Sequence, residues 1–140
     1  MLFILGLGAI TIASGVVSVN PGQQAKLFHD AARVENVQEI ISAITASMLD
    51  NQGLFKCSAG SLPNSADIEY TARASPHTYN LAPCVIPKYL SAMPFDPSVG
   101  YWHSAQDYVT GYRFGYDAST GRVTVLAPYA ELPPVIVITR

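Results

Sequence analysis

Charge is scarce in this chain. Of 140 residues only 8 are Lys or Arg and 10 are Asp or Glu, giving a net charge of -2. So little positive charge excludes a dedicated nucleic-acid face, which must neutralise a row of phosphates. His is limited to His29, His77 and His103, which stand far apart, and no HExxH, CxxC, P-loop or Gly-x-Ser-x-Gly pattern occurs. No metal-ligand spacing, phosphate cradle or nucleophile with a base is therefore legible, and neither a catalytic activity nor a cofactor is expected. His103 with Asp107 is a poor start for a metal site. Asp96 and Asp107 are too few carboxylates for calcium, which takes about six to eight oxygens.

The most consequential absence is at the N-terminal end, where no charged residue precedes Lys26. Residues 1–19 read MLFILGLGAITIASGVVSV. As a helix rising about 1.5 Å per residue they span about 28 Å, close to the roughly 30 Å hydrocarbon thickness of a bilayer. Met1, Leu2, Phe3, Ile4, Leu5, Leu7, Ile10, Ile12, Val16, Val17 and Val19 are large and apolar. Exposing them to water would cost on the order of 16 to 33 kcal/mol as an upper bound. Moving them from lipid into a bundle of similar rods changes little, because lipid tails are as apolar as leucine. Ala9 with Ala13 and Ser14 with Ser18 form small-xxx-small pairs, and Gly6, Gly8 and Gly15 add grooves where neighbouring rods pack closely. A secretory signal needs a basic start and a small-residue cleavage site, both missing here. The pattern favours a short basic leader removed ahead of Met1 over an unprocessed anchor beginning there, which makes Met1 the expected processed N-terminus.

Asn20, Pro21 and Gly22 follow the rod. Pro21 has no N–H and its ring clashes with the carbonyl of Val17, so a helix is expected to kink or unwind here, at about 3 kcal/mol or more. In a rod that must pack among copies, this is a candidate helix-melting point. Beyond it Leu27, Ala31, Val34, Val37, Ile41, Ile44 and Met48 recur at helical spacing, flanked by Phe28, Ile40 and Leu49. Lys26, Asp30, Arg33, Glu35, Glu39 and Asp50 occupy the other positions. This amphipathic stretch ends at Asn51-Gln52-Gly53, where Gly53 suits a C-terminal cap. Three regions result: an apolar rod over 1–25, an amphipathic stalk helix over 26–52 and a globular head over 53–140.

The head holds both cysteines, Cys57 and Cys84. An even pair reads as a disulfide in an exported domain and as two thiols in a cytosolic one, and the membrane-length rod favours the disulfide. Residues 54–100, rich in Ser, Pro, Asn and Ala, are expected to be mostly irregular, with a helical turn near Cys84 to Ser91. Gly111 to Tyr116 and Arg122 to Ala127 alternate around the turn Asp117 to Gly121, which predicts a β-hairpin packed by one face on the stalk. After Pro133 and Pro134, Val135 to Thr139 predicts a short strand that needs a partner in its own sheet or in a neighbour. Tyr101, Trp102, Tyr108, Tyr112 and Tyr116 cluster in sequence. Sheet packing is their default role, with subunit or glycan contact the alternative.

This layout resembles the type IV pilins and the related pseudopilins of secretion systems. The resemblance covers the whole chain. It is carried by the Pro21 interruption, by Tyr89-Leu-Ser-Ala-Met-Pro-Phe-Asp-Pro97 followed by Gly111-Tyr112 and Gly121-Arg-Val-Thr-Val125, by Ala31-Ala-Arg33 with Val37-Gln-Glu-Ile-Ile41, and by Thr78-Tyr-Asn-Leu81 ahead of Pro87. It implies an α+β, pilin-like ladle with a long N-terminal helix on a small antiparallel β-sheet head. It also implies a structural subunit of an extracellular filament polymerising through its rod, with Met1, Leu2, Phe3, Ile4, Leu5, Leu7, Ala9, Ile10, Ala13, Val16 and Val17 in the filament core. Implied partners are other copies of the chain, a prepilin peptidase, the inner-membrane pilus assembly machinery and membrane lipid before assembly. N-terminal methylation of Met1 is part of the same expectation. One feature departs from the family: a Glu usual near the processed N-terminus is missing, that neighbourhood reading Ile4-Leu5-Gly6. Either assembly proceeds without that Glu or the true start is displaced. The alternatives are a type II secretion pseudopilin and a membrane-anchored monomeric binding module using the aromatic loop.

Overall fold

The computed structural model describes residues 20–140, and the proposed filament-core residues from Met1 to Val17, with the processed N-terminus at Met1, lie outside that range. The fold is α+β, one long helix laid across a sheet of six strands. Among the described residues no helix is long and apolar enough to cross a membrane.

Helix α1 runs Pro21–Asp50 over 30 residues. Its start explains the Asn-Pro-Gly triplet. Asn20 has extended backbone, and its side-chain oxygen accepts from the N–H groups of Gly22 at 3.1 Å and Gln23 at 3.3 Å. Pro21 takes the first helical position, where its missing N–H leaves no hydrogen bond unmade. At this triplet α1 begins with a capped first turn. At the other end the Gly53 N–H donates to the Met48 carbonyl at 2.8 Å and the Gln52 N–H to the Leu49 carbonyl at 3.3 Å, a cap whose left-handed position is taken by Gln52, with φ 59°, one residue before the expected Gly53.

The C-terminal half of α1 buries Val37, Ile40, Ile41, Ala43 and Ile44. They meet a sheet whose strands are β1 Ala66–Tyr70, β2 Thr78–Tyr79, β3 Tyr101–Ser104, β4 Asp107–Asp117, β5 Arg122–Ala127 and β6 Ile136–Thr139, with a short helix α2 Ala82–Val85 between β2 and β3. The order is β2-β1-β4-β5-β6, with β3 also paired to β4. Strand β4, at 11 residues, is the axis. One edge holds β1 along most of its length, while the other holds β3 near Tyr108 and β5 from Arg113 to Asp117. Tyr108, Thr110, Tyr112 and Phe114 alternate inward toward the core, and Val123, Val125 and Ala127 of β5 continue the same face.

The predicted hairpin is present as β4 and β5, in register from Arg113 with Leu126 to Asp117 with Arg122. The C-terminal strand pairs with β5 of its own chain. The region expected to be irregular departs from expectation. Residues 54–100 supply β1 and β2, and α2 begins at Ala82, ahead of the predicted turn. In Ala66-Asp-Ile-Glu-Tyr70 the period of two is present, with Ala66 and Ile68 buried, but five residues carrying two carboxylates make a weak signal against flanking Ser and Pro. The sheet is also mixed, because β2 runs parallel to β1.

Cys57 and Cys84 form the predicted disulfide, with Cα atoms 5.0 Å apart across a sequence separation of 27. It ties the loop after α1 to α2. Closing a loop of that length stabilises the fold by about 3.5 kcal/mol on the chain-entropy model. The double variant Cys57→Ser, Cys84→Ser should therefore melt roughly 10 °C or more below the parent, read by circular dichroism.

Candidate functional site

The polar centre of the molecule lies where α1 crosses the loop after α2 and the segment after β5. Its organiser is Arg33, which the helical periodicity places off the apolar stripe yet which has 0% exposure. A position off the apolar stripe of an amphipathic helix is here fully buried. The physical reason is a matched partner: Asp96, also at 0%, receives the guanidinium in a forked pair, Nε to Oδ2 at 2.7 Å and Nη2 to Oδ1 at 3.1 Å. Asp30, one helical turn before, accepts from Nη1 at 2.7 Å, and the Ser98 hydroxyl stands 2.8 Å from Nη2.

Each carboxylate also organises backbone. Asp96 Oδ1 accepts from the Ser98 N–H at 2.8 Å and the Ser98 hydroxyl at 2.6 Å, so with Arg33 Nε on Oδ2 both its oxygens are engaged. Its own N–H donates to the Thr110 carbonyl at 2.7 Å. Asp30 accepts from the N–H groups of Glu131 at 3.0 Å and Leu132 at 2.8 Å, pinning the segment that leads into β6. Glu131 in turn lies 3.6 Å from Arg33 Nη2 and 3.2 Å from His29 Nδ1. Asn36, farther along α1, donates to the Phe95 carbonyl and the Tyr112 hydroxyl, both at 2.9 Å. Asp30, Arg33 and Asn36 thus form one row along the helix, each gripping a different part of the head.

Two glycines let the loop approach. A Cβ at Gly100 would stand 2.8 Å from the Asp96 nitrogen, and one at Gly111, where φ is 74°, would stand 2.9 Å from Asp96 Cβ and 2.8 Å from Val99 Cγ2. Glycine is required at both positions on those grounds.

Burial pushes the Asp96 carboxyl up, but hydrogen bonds from Arg33 and Ser98 and the Arg33 charge outweigh it and hold it below the ordinary value. Asp30 behaves alike: its desolvation is outweighed by the Glu131 backbone N–H, by Arg33 and by the Leu132 N–H. Asp96 drives Arg33 upward against its own desolvation.

Beside this centre lies an apolar face. Leu27, Phe28 and Val34 on α1 are 47%, 72% and 39% exposed, and Val135, beyond the pinned segment, is 66% exposed. Leu27, Ala31 and Val34 line a shallow groove with Leu132, Pro133 and Val135. The predicted stripe therefore divides: Val37, Ile41 and Ile44 are core, while Leu27 and Val34 remain partly exposed beside the groove.

The remaining sequence candidates are dispersed. His103 pairs with Asp107 at 3.1 Å on the surface, where Tyr101 also donates to Asp107 at 2.9 Å. Of the aromatic cluster, Tyr108 and Tyr112 are core residues and Trp102 packs on Tyr108 with ring centroids 5.4 Å apart, so sheet packing accounts for these three. The Arg33–Asp96 pair escaped the sequence reading, though a signal existed. Arg33 is the only Lys or Arg between Lys26 and Lys56, and Asp96 the only acidic residue between Glu69 and Asp107.

Comparison with known proteins matches no family model, no curated protein and no solved structure.

Removing one member of the pair strands a buried charge, so Asp96→Ala should lower unfolding stability by about 3–5 kcal/mol. The double variant Arg33→Met, Asp96→Leu should recover most of it, measured by urea unfolding. Because Asp96 and Asp30 titrate lower in the folded than in the unfolded chain, their stabilisation is complete above the ordinary carboxylate value of 3.8 and is lost as pH falls below it. The parent should lose stability across that acid range, and the double variant, which removes Asp96, should show a shallower loss.

Proposed function

We propose that this chain is the structural subunit of an extracellular filament of the type IV pilus class, held in the cytoplasmic membrane by its apolar N-terminal segment before assembly. Its role is structural rather than catalytic, and its main partner is a further copy of itself. A prepilin peptidase and an inner-membrane assembly machine complete the set of partners on this reading, and the α+β architecture is the ladle of that class. The observation that carries the proposal is the division of α1. Its C-terminal half is buried against its own sheet, whereas the half continuous with the uncharged residues 1–19 keeps Leu27, Phe28 and Val34 exposed. Clustered apolar side chains on a helix face mark a surface that another molecule covers. Asn20 and Pro21 supply a helix start between the two apolar stretches, which supports a role for the triplet as the point where the helix changes on assembly.

Electron microscopy of material sheared from the surface of cells making the protein should show thin fibres that react with antibody to the head. Leu27→Asp with Val34→Asp should abolish those fibres while shifting thermal unfolding by no more than about 0.5 kcal/mol per exposed site. Protein found wholly in membranes, as single copies and without fibres, would favour the monomeric binding module instead.

A further inference from the structure

The outer face of the sheet, opposite α1, carries a depression of about 250 Å³ between β1, β4, the loop at Val99 and the segment Pro128–Tyr129. A break in strand register makes it. Asp67 pairs with Arg113 and Glu69 with Val109, so β4 is bulged around Gly111 where it passes Ile68. Bulges of this kind re-aim side chains beside binding sites. The alternation of both strands turns Asp67, Glu69, Val109, Gly111 and Arg113 to this face, while Ile68, Thr110 and Tyr112 point to the core. Gly111 contributes no side chain to the floor, and its left-handed backbone, pressed against Val99 and Asp96, fixes the floor's position.

The polar groups here are partly unspent. Arg113 uses its Nε on Asp67 at 2.7 Å, leaving both Nη groups without a partner among the described residues. The Glu69 carboxylate, on a half-buried residue of the same face, makes no side-chain hydrogen bond among the described residues. Tyr129 stands 53% exposed at the rim, and Val99 and Pro128 add apolar surface.

Charge selects the ligand. A cation meets Arg113 and an anion meets Glu69 and Asp67, so neither is favoured. An uncharged ligand whose groups both donate and accept can take Glu69 as acceptor and Arg113 as donor together, and a flat C–H face would lie on the Tyr129 ring. We propose that this depression binds a neutral pyranose ring, free or as one unit of a glycan. The volume suits one ring rather than a long chain, and the groups lie on paired strands, which hold them in place without ligand. This site does not depend on the filament reading, since every group belongs to one head.

The test is protein-observed NMR of the full chain in dodecylphosphocholine micelles, a detergent without sugar, titrated with the methyl pyranosides of glucose, galactose and N-acetylglucosamine. At least one should give saturable shifts at Glu69, Val109, Gly111 and Arg113, with an affinity of about millimolar. Tyr129→Ala and the isosteric Glu69→Gln should each weaken it about tenfold. Tyr70→Ala, at an exposed tyrosine outside the depression, should leave it unchanged. Glu69→Gln adds no bulk and leaves the core untouched, so it remains decisive if Tyr129→Ala does not fold. The proposal is overturned if no methyl pyranoside gives saturable shifts, if Glu69→Gln leaves them unaltered, or if glucuronate, glucosamine or acetyl-Gly-Ser-Gly-amide binds as well as the best neutral sugar.

Discussion

A guanidinium with no exposed surface must be neutralised and hydrogen bonded where it sits, and the arrangement of this molecule follows from how Arg33 meets that demand. Its forked pair with Asp96 fixes the loop that follows α2. Through the Asp96 backbone that loop is bonded to β4, and through Gly100 and Gly111 it lies too close to β4 for any side chain between them. Its third contact, Asp30, carries the same constraint to Glu131 and Leu132 and so to the entry of β6. Helix, central strand and C-terminal strand are thereby referred to one charge. Apolar packing between α1 and the sheet provides most of the favourable free energy, but it is non-directional. The buried pair has only one geometry in which both charges are satisfied, and it sets how far along the sheet the helix lies.

That placement has a consequence for the surface. With Leu132 held beside α1, the exposed apolar residues of the helix and those after Pro134 form one continuous face. The face lies on the half of α1 that follows the uncharged residues 1–19, so the apolar character of the N-terminal segment and that of the described helix are adjacent in sequence. The proposed assembly through this end would need a head able to stand without its neighbours, which the buried core, the disulfide and the ion pair provide. The outer face of the sheet is a separate matter. It carries polar groups in place of an apolar stripe, and the bulge at Gly111 that lets the Asp96 loop approach also hollows that face, so one feature of β4 serves both sides of the sheet.

Much of this was legible in the residues. The amphipathic helix through Leu27 to Met48 and its end near Gly53, the hairpin of β4 and β5, the final strand and the pairing of Cys57 with Cys84 all follow from periodicity, turn chemistry and cysteine arithmetic, whereas the capped start at Asn20 does not. Strand β1 was harder, because five residues with two outward carboxylates resemble the polar loop around them, and two-residue β2 exists only because β1 lies beside it.

What the sequence determined by itself was local: where backbone is pre-set by Pro21 or freed by Gly53 and Gly121, which segments have a helical or a two-residue apolar period, and that charge is absent before Lys26. Only the tertiary structure decided that Arg33 is internal, that its partner is Asp96 across 63 positions of chain, and that the apolar stripe of α1 splits into a buried and a partly exposed half. The reason is range. Dihedral preference and side-chain periodicity act between near neighbours in the chain. The burial of a charge depends on what other segments bring within about 3 Å of it, and no local pattern encodes that.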